Sequence, residues 1–348
     1  MTSTAAVIGG GIGGLAAAIG LHRAGWRVTV HEKASALPTV GTALGMWPPA
    51  LRALDALGVG DRARAAGRAQ TSGAFLRPDG SVIARVEIGD DPVYLLSRPT
   101  LLALLAGALP DGVVRFGSPI DGPASGCDGH DVVVVADGIF SRGRAALFGD
   151  RYRARYTGAT AWRGLADLPT GTTAETWGGG LRFGVTPHED GTTNWFATMP
   201  AAEGGRSPDG EVAVLRARFG GWHDPIPRIL DRLTESAVLR HDLYDLDPPL
   251  PTFVRGNVAL IGDAAHAMTP DLGRGACEAL LDGVGLASCL SGAPDVHSGL
   301  SRYDSRRRRP AQRVAALSRR MGRLAQARRF TRLRDTVVRV AAAVAPAP

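Results

Sequence analysis

Apolar positions follow two rhythms along this chain. Over the first 150 residues, short apolar runs alternate with helical patterns. Ala5–Ile8 reads as a strand, Gly14–Ala24 as a helix ending near Gly25, and Arg27–His31 as a second strand. Pro49–Leu57 reads as a helix with proline in its first turn and Gly58 past its end, and Pro99–Ala108 begins the same way. Val113–Phe116 and Val132–Ala136 read as further strands. The second is a continuous apolar run, as expected of a strand buried on both faces. Such alternation predicts a mostly parallel sheet with helices on its faces.

The rhythm then shortens. Residues 154–200 are rich in Thr, Trp, Phe and Gly, with strand-like runs at Ala154–Arg163, Leu181–Thr186 and Asn194–Met199 separated by Gly, Asp and Pro turns. This predicts an antiparallel sheet, followed by helices near Pro208–Phe219 and Pro225–Leu233. Val258–Gly262 restores the buried-strand pattern. A long helix over Gly273–Leu290 and amphipathic helices from Asp295 to about Phe330 follow. The expected fold is therefore one α/β domain built from two chain segments and interrupted by an antiparallel-sheet domain, with C-terminal helices.

The 348 residues are 45% hydrophobic and 21% charged, which excludes a disordered or fibrous chain. Charge is uneven. Residues 302–339 carry 14 arginines against Asp304 and Asp335, a local net of +12 within a chain of +7, so the remainder is −5. The Arg306–Arg309 run reads as a solvated helix face, and no nucleic-acid partner is expected. The most apolar run, Ala5–Leu21, contains six glycines and falls short of the ~20 residues a membrane span needs. A cytoplasmic protein with no membrane partner, monomeric or homodimeric, is expected. Three scattered cysteines and the lack of closely spaced histidine pairs argue against disulfide, dithiol-redox and metal chemistry.

Gly9-Gly10-Gly11-Ile12-Gly13-Gly14 fits G-x-G-x-x-G between a strand and a helix, with Glu32 closing the next strand. This is the context of a dinucleotide fingerprint. Gly9 allows the tight turn, Gly11 lets a pyrophosphate approach, and Gly14 lets helix and strand pack closely. The helix N-terminus offers free N–H groups, and Glu32 can accept from both ribose hydroxyls. A carboxylate there disfavours a 2′-phosphate, pointing to FAD or NAD. Two further segments favour FAD: Asp131–Arg144, containing Asp137-Gly138, and Gly256–Ala276, containing Gly262-Asp263 and Pro270-Asp-Leu-Gly273-Arg274-Gly275-Ala276. Asp263 at a strand end suits a ribityl chain. The 270–275 loop enters a helix N-terminus suited to negative charge on a reduced flavin.

These three motifs, with Met46–Gly58, Ser97–Leu105, Tyr156–Gly164 and Tyr303–Pro310, resemble the FAD-dependent aromatic hydroxylase family, the single-component flavoprotein monooxygenases of the para-hydroxybenzoate hydroxylase type. The resemblance implies a Rossmann-like FAD-binding domain over 1–72, 97–153 and 252–295. It implies a substrate domain over 73–96 and 154–251, and a helical segment over 296–348. It assigns Gly9, Gly11, Ile12, Gly13, Gly14, Glu32, Lys33, Gly45, Arg98, Asp137, Gly138, Gly262, Asp263, Pro270, Gly273, Gly275 and Ala276 to non-covalent FAD. The resemblance also implies NADH or NADPH as a transient reductant without a dinucleotide domain of its own, and consistently no second strand-linked G-x-G-x-x-G is present. The implied reaction inserts one oxygen atom from O2 into an aromatic or other ring compound through a flavin C4a-(hydro)peroxide.

Catalytic candidates are Pro270, Arg274 and His188, the last beside turn residues. Substrate candidates are Arg163, Arg182, Phe183, Trp195 and Phe196, of which strand alternation can turn only half inward. His266 reads as a structural hydrogen-bonding residue. Three departures from the family stand out: Gly273-Arg274-Gly275 for Gly-Gln-Gly, Leu281-Asp282-Gly283 for Glu-Asp-Ala, and a shortened connection over 117–131. An epoxidase, a Baeyer–Villiger oxygenase and a non-catalytic FAD-binding protein are the rival readings. The tryptophan motif of flavin halogenases and a G-x-S-x-G hydrolase motif are both missing.

Overall fold

A computed structural model describes residues 2–89, 91–122, 127 and 129–344. Its first layer is a six-stranded sheet in the order 254–255, 258–260, 132–135, 4–8, 27–31, 114–115. All neighbours are parallel except the 254–255 edge. The strand Val132–Val135 is buried at every position, as its unbroken apolar run requires. Helices Ile12–Arg23 and Gly275–Ser291 cross over this sheet.

That crossing explains one departure noted above. A Cβ on Gly283 would lie 2.6 Å from the Ala17 nitrogen, and one on Gly20 would lie 2.6 Å from Ala287 Cβ. The two helix backbones touch through small residues, so the alanine usual in the family does not fit at 283.

The second layer is a seven-stranded sheet in the order 239–246, 154–166, 193–200, 182–187, 174–177, 72–76, 82–87, antiparallel except between 174–177 and 72–76. Strands 72–76 and 82–87 thus reach it from the first chain segment. A small third sheet joins 43–46, 93–97 and 68–70. The strand 93–97, divided by the expected boundary at 97, lies wholly in this small sheet, and Met46 and Leu96 pack into the core of the parallel layer.

One face of the seven-stranded sheet is covered by helices Glu211–Phe219 and Ile226–Leu230. Trp162, Phe183, Val185, Trp195 and Met199 fill the space between. The other face, alternate along every strand, turns toward the glycine loops. The helix Val296–Ala325 runs behind the 269–272 turn, where Ser318 Oγ donates to the Thr269 carbonyl at 2.6 Å, and Thr331–Val344 packs on the outer strand 82–87. Arg306–Arg309 is not uniformly solvated, because Arg307 turns inward to Asp282 and Glu278, each at 2.7 Å. The shortened 117–131 connection lies partly outside the described residues.

Candidate functional site

The glycine loop is built by steric necessity at its ends and is open in its middle. Gly9 holds φ +107°, and a Cβ there would meet the Ala136 carbonyl oxygen at 2.3 Å. A Cβ on Gly14 would meet the Gly9 oxygen at 2.0 Å. Around Gly11, by contrast, a Cβ would find nothing within 4 Å. Gly11 is the N-cap of the Ile12–Arg23 helix and supplies no side-chain cap, so the first-turn N–H groups are left for a ligand. Ile12 and Gly13 are buried beneath, with Gly13 against Ala279 and Ile261. Glu32 accepts from the Gly10 and Ala34 N–H groups at 2.7 and 2.8 Å. A carboxylate has about four acceptor sites, so two remain for ribose hydroxyls. Lys33 is exposed beyond it.

Four further segments converge on the same cleft. Asp137, with Gly138 beside it, ends the 132–135 strand. Its Oδ2 accepts from the Gly143 N–H at 3.0 Å, and its Oδ1 is buried without a partner. Gly262, buried, and Asp263 end the 258–260 strand. The Asp263 carboxylate is accessible in the cleft and makes no hydrogen bond among the described residues; surrounding protein raises its pKa, opposed by the charges of His266, Arg98 and Arg144. Pro270–Leu272 forms a single turn, exposed at Pro270. Gly273 then takes a left-handed conformation at φ +61°, before Gly275 and Ala276 open the long helix. Gly45 lies beside that helix, its carbonyl accepting from Cys277 Sγ at 3.2 Å, and burial pushes this thiol up to about 11.

Arg98 begins the helix Arg98–Ala106 and is exposed, with no side-chain partner among the described residues. The side chain of Arg163, half-buried on the cleft-facing side of its strand, is likewise without hydrogen bond or ion pair there. Burial and the charge of Arg98 push its pKa down. The unneutralised Arg98 guanidinium, an open helix N-terminus and unpartnered carboxylate oxygens suit a ligand carrying phosphates and a polyol chain. FAD fits this set.

Arg144 fastens these segments together. It is buried, and it donates to the carbonyls of Ile139 at 2.6 Å, Tyr152 at 2.7 Å, Ala264 at 3.1 Å and Asp263 at 3.2 Å. Below lies a buried ionic chain. His266 Nε2 meets Asp282 Oδ2 at 2.5 Å, and that oxygen also accepts from the Gly262 N–H at 2.8 Å. Burial would neutralise both groups, but the charges of Asp282 and Asp263 raise the His266 pKa against burial and Arg307, while His266 and Arg307 hold Asp282 low.

Strand alternation sorts the substrate candidates. Arg163 and Phe196 are cross-strand partners, and with Arg182 they lie on the cleft face. Phe183 and Trp195 point the other way. They stack on each other at 5.7 Å in the helix-covered core, and neither reaches the cleft. Arg182 is clamped between Glu175, at 2.5 Å, and Asp271 of the 270–272 turn. His188 does not join Pro270 and Arg274. It lies in the hairpin turn after Pro187, its Nδ1 on Asp190 at 2.8 Å and its Nε2 buried without a partner. No hydrogen bond, ion pair or ring contact among the described residues links it to 270–276. Arg274 is not released to solvent either: Glu278 holds it at 3.1 Å, and its guanidinium carbon lies 5.9 Å from the centre of the Trp47 ring.

Sequence reasoning missed Thr198, whose buried hydroxyl on the cleft face has no partner, and His241, cross-strand to Ala161. It also missed Glu189, whose carboxylate accepts from Ser97 N at 2.8 Å, Ser97 Oγ at 2.7 Å and Thr100 Oγ1 at 2.5 Å.

A family model described as "FAD binding domain" matches residues 2–109 and 250–318, which hold four of the six strands of the parallel layer. The chain is 38% identical over 347 residues to the aurachin C monooxygenase/isomerase of Stigmatella aurantiaca, covering 93% of this chain and 90% of that one. The chain belongs to the FAD-dependent aromatic hydroxylases. Among other members of this family, the FAD-dependent urate hydroxylase of Mycolicibacterium vanbaalenii is 32% identical, covering 86% of this chain and 83% of that one. The crystal structure of Klebsiella pneumoniae HpxO complexed with FAD and uric acid superposes with a TM-score of 0.85 at 26% identity, covering 96% and 91%. This hydroxylase is therefore a flavoprotein enzyme of the monooxygenase class.

Proposed function

We propose that this hydroxylase uses NADH or NADPH and O2 to insert one oxygen atom into an aromatic or polycyclic small molecule. One observation carries the reading. The cleft-facing side of the seven-stranded sheet sets an unpaired arginine, Arg163, beside Phe196 and Thr198, with Arg182 of the same face bound to Asp271 in the loop that frames the expected flavin position. FAD, when bound, supplies electron transfer from the nicotinamide and the activation of dioxygen.

The chain's own groups do the rest. The Gly11 helix start and Arg98 bind phosphate, Glu32 the ribose, and Asp263 the ribityl hydroxyls. Gly273 and Gly275 let backbone approach the ring, and the helix N-terminus after Arg274 stabilises negative charge on it. Arg163 orients an electron-rich ring and Phe196 excludes water, which protects a reactive oxygen species from wasteful collapse. The relatives support a ring substrate, since their names specify aurachin C and urate. Epoxidation is the second reading, favoured by 33% identity to the zeaxanthin epoxidase of Oryza sativa, of which this chain covers 52%.

The test is a panel of ring compounds scored for stimulated NADH and NADPH oxidation, with product mass checked for one added oxygen. Tight FAD binding with no stimulated turnover across the panel would leave a non-catalytic flavin-binding protein. A product whose added oxygen bridges two former alkene carbons would select epoxidation.

A further inference from the structure

Half of the large apolar side chains exposed among the described residues lie between 317 and 340: Leu317, Phe330, Leu333, Val337 and Val340. The helix Thr331–Val344 buries one face, with Arg334, Asp335 and Val338 turned into the fold and Val338 packed with Ile83, Ala84 and Trp177. At about 100° per residue, Leu333, Val337 and Val340 share an arc of roughly 60° that faces away from this contact. Phe330 extends the stripe. It is 80% exposed and, among the described residues, the one non-glycine residue with positive φ, at +57°. A bulky residue there strains the backbone, yet the helix is anchored on it, the Arg334 N–H donating to its carbonyl at 3.0 Å.

The surroundings are cationic. Residues 319–339 hold eight arginines and one aspartate. Arg319 pairs with Asp245 and Asp247, and Arg334 with Asp335. Arg320, Arg323, Arg328, Arg329, Arg332 and Arg339 are exposed and enter no ion pair among the described residues.

We infer that this C-terminal face docks on the surface of an anionic lipid bilayer. An apolar stripe flanked by arginines matches the boundary between acyl chains and lipid phosphates. A second copy of the chain would set the same arginines against each other across a two-fold contact. A nucleic acid would satisfy the charges and leave the stripe in water. Among the described residues no helix is long and apolar enough to cross a membrane, so the contact is peripheral. Such docking departs from the sequence expectation of no membrane partner.

The experiment sediments the FAD-loaded full chain with vesicles of phosphatidylcholine, alone or mixed with phosphatidylglycerol. Binding is expected to be at least about tenfold stronger to the anionic vesicles and lost in high salt. A Leu333→Ser/Val337→Ser/Val340→Ser variant should weaken it at least about tenfold. An Arg328→Gln/Arg329→Gln/Arg332→Gln variant should weaken it about a hundredfold. Both should retain the FAD content and melting temperature of the parent, since all six side chains are exposed. Equal binding to both vesicle types, binding to neither, or parental binding by both variants overturns the proposal. A concentration-dependent dimer that the variants abolish, without vesicle binding, overturns it in favour of self-association. Retention only by an acidic protein overturns it in favour of a protein partner.

Discussion

Replacing Gly14 and Gly11 by alanine, one at a time, should separate the glycine that builds the fold from the glycine that admits the ligand. At Gly14 the new methyl lies 2.0 Å from the Gly9 oxygen and 3.2 Å from Ala136 Cβ. The helix cannot retreat, because Gly20 and Gly283 already mark backbone contact with the Gly275–Ser291 helix on its far side. Overpacking of this kind costs about 3 kcal/mol. For a chain of this size that is a fall in melting temperature of roughly 3–6 °C.

At Gly11 the backbone is ordinary, at φ −75°, and the methyl meets nothing within 4 Å. Apoprotein stability should move by no more than about 0.5 kcal/mol. The methyl does occupy the approach to the helix N–H groups. Losing one charge-assisted hydrogen bond there costs about 1.5–3 kcal/mol, or roughly 10- to 100-fold in the FAD dissociation constant. Differential scanning of the apoproteins and titration by quenching of FAD fluorescence read the two effects separately. Parental FAD affinity in Gly11→Ala would mean that the phosphates do not cross this glycine. An unshifted melt for Gly14→Ala would refute the steric reasoning.

Three further outcomes follow from the site. Arg144→Met leaves four carbonyls, one buried and three partly buried, without their donor and should lose about 3 kcal/mol or more by urea denaturation; a loss under about 1 kcal/mol would show that water replaces the guanidinium. The His266–Asp282 pair sets a pH signature. Its raised histidine contributes stability that is complete below the unfolded histidine pKa and is lost as pH rises through the folded one. Its lowered aspartate contributes stability present above the unfolded carboxylate pKa and lost as pH falls through the folded one. In Asp282→Asn burial and the Arg307 charge disfavour the imidazolium of His266 with only Asp263 to oppose them, so the urea midpoint should fall from pH 8 to pH 6, whereas the parent's should not; matching slopes would refute the pairing. Arg163→Gln should weaken binding of an anionic ring compound roughly 10- to 100-fold, leaving a neutral analogue and FAD retention unaffected, as measured by perturbation of the flavin spectrum; equal loss for both compounds would make Arg163 merely structural.

Much of the fold was legible where a segment's neighbours are apolar on both sides. Arg27–His31 keeps its expected bounds, with burial alternating along it, and Val132–Ala136 is shorter by one residue, its unbroken apolar run marking a strand buried on both faces. The strand Leu239–Leu246 was not legible. It carries Arg240, His241, Asp242 and Asp245 at a sheet edge, and ion pairs such as Arg319–Asp245 that make these charges tolerable come from distant sequence. Alternation in the substrate sheet announced two faces without saying which was covered. That depended on where helices 211–219 and 226–230 fold back, and it put Phe183 and Trp195 on the covered side. Arg182, expected to face substrate, and Arg274, expected near the flavin, both find partners that the sequence did not announce. Glu175 and Asp271 neutralise the first, and Trp47, 227 positions away, receives the second.

Three contacts register the substrate sheet against the cofactor loops, and each one ends within two residues of an expected FAD residue. Glu189 holds Ser97, which precedes Arg98. The Asn194 side-chain oxygen accepts from the Ala43 N–H at 3.1 Å, two residues before Gly45. Arg182 holds Asp271, which follows Pro270. Two of the three bring charge onto a partner with little freedom. Glu189 is pushed up by burial yet held low by the Thr100 and Ser97 donors, and the buried Arg182 is kept charged by two carboxylates against its burial. Such contacts are costly to break, so alignment of sheet and cofactor does not depend on the linkers between the layers. The residues free to vary with substrate are then those of the cleft face that carry no such tie, Arg163, Phe196, Thr198 and His241. A change of ring specificity should arise there without loss of the flavin.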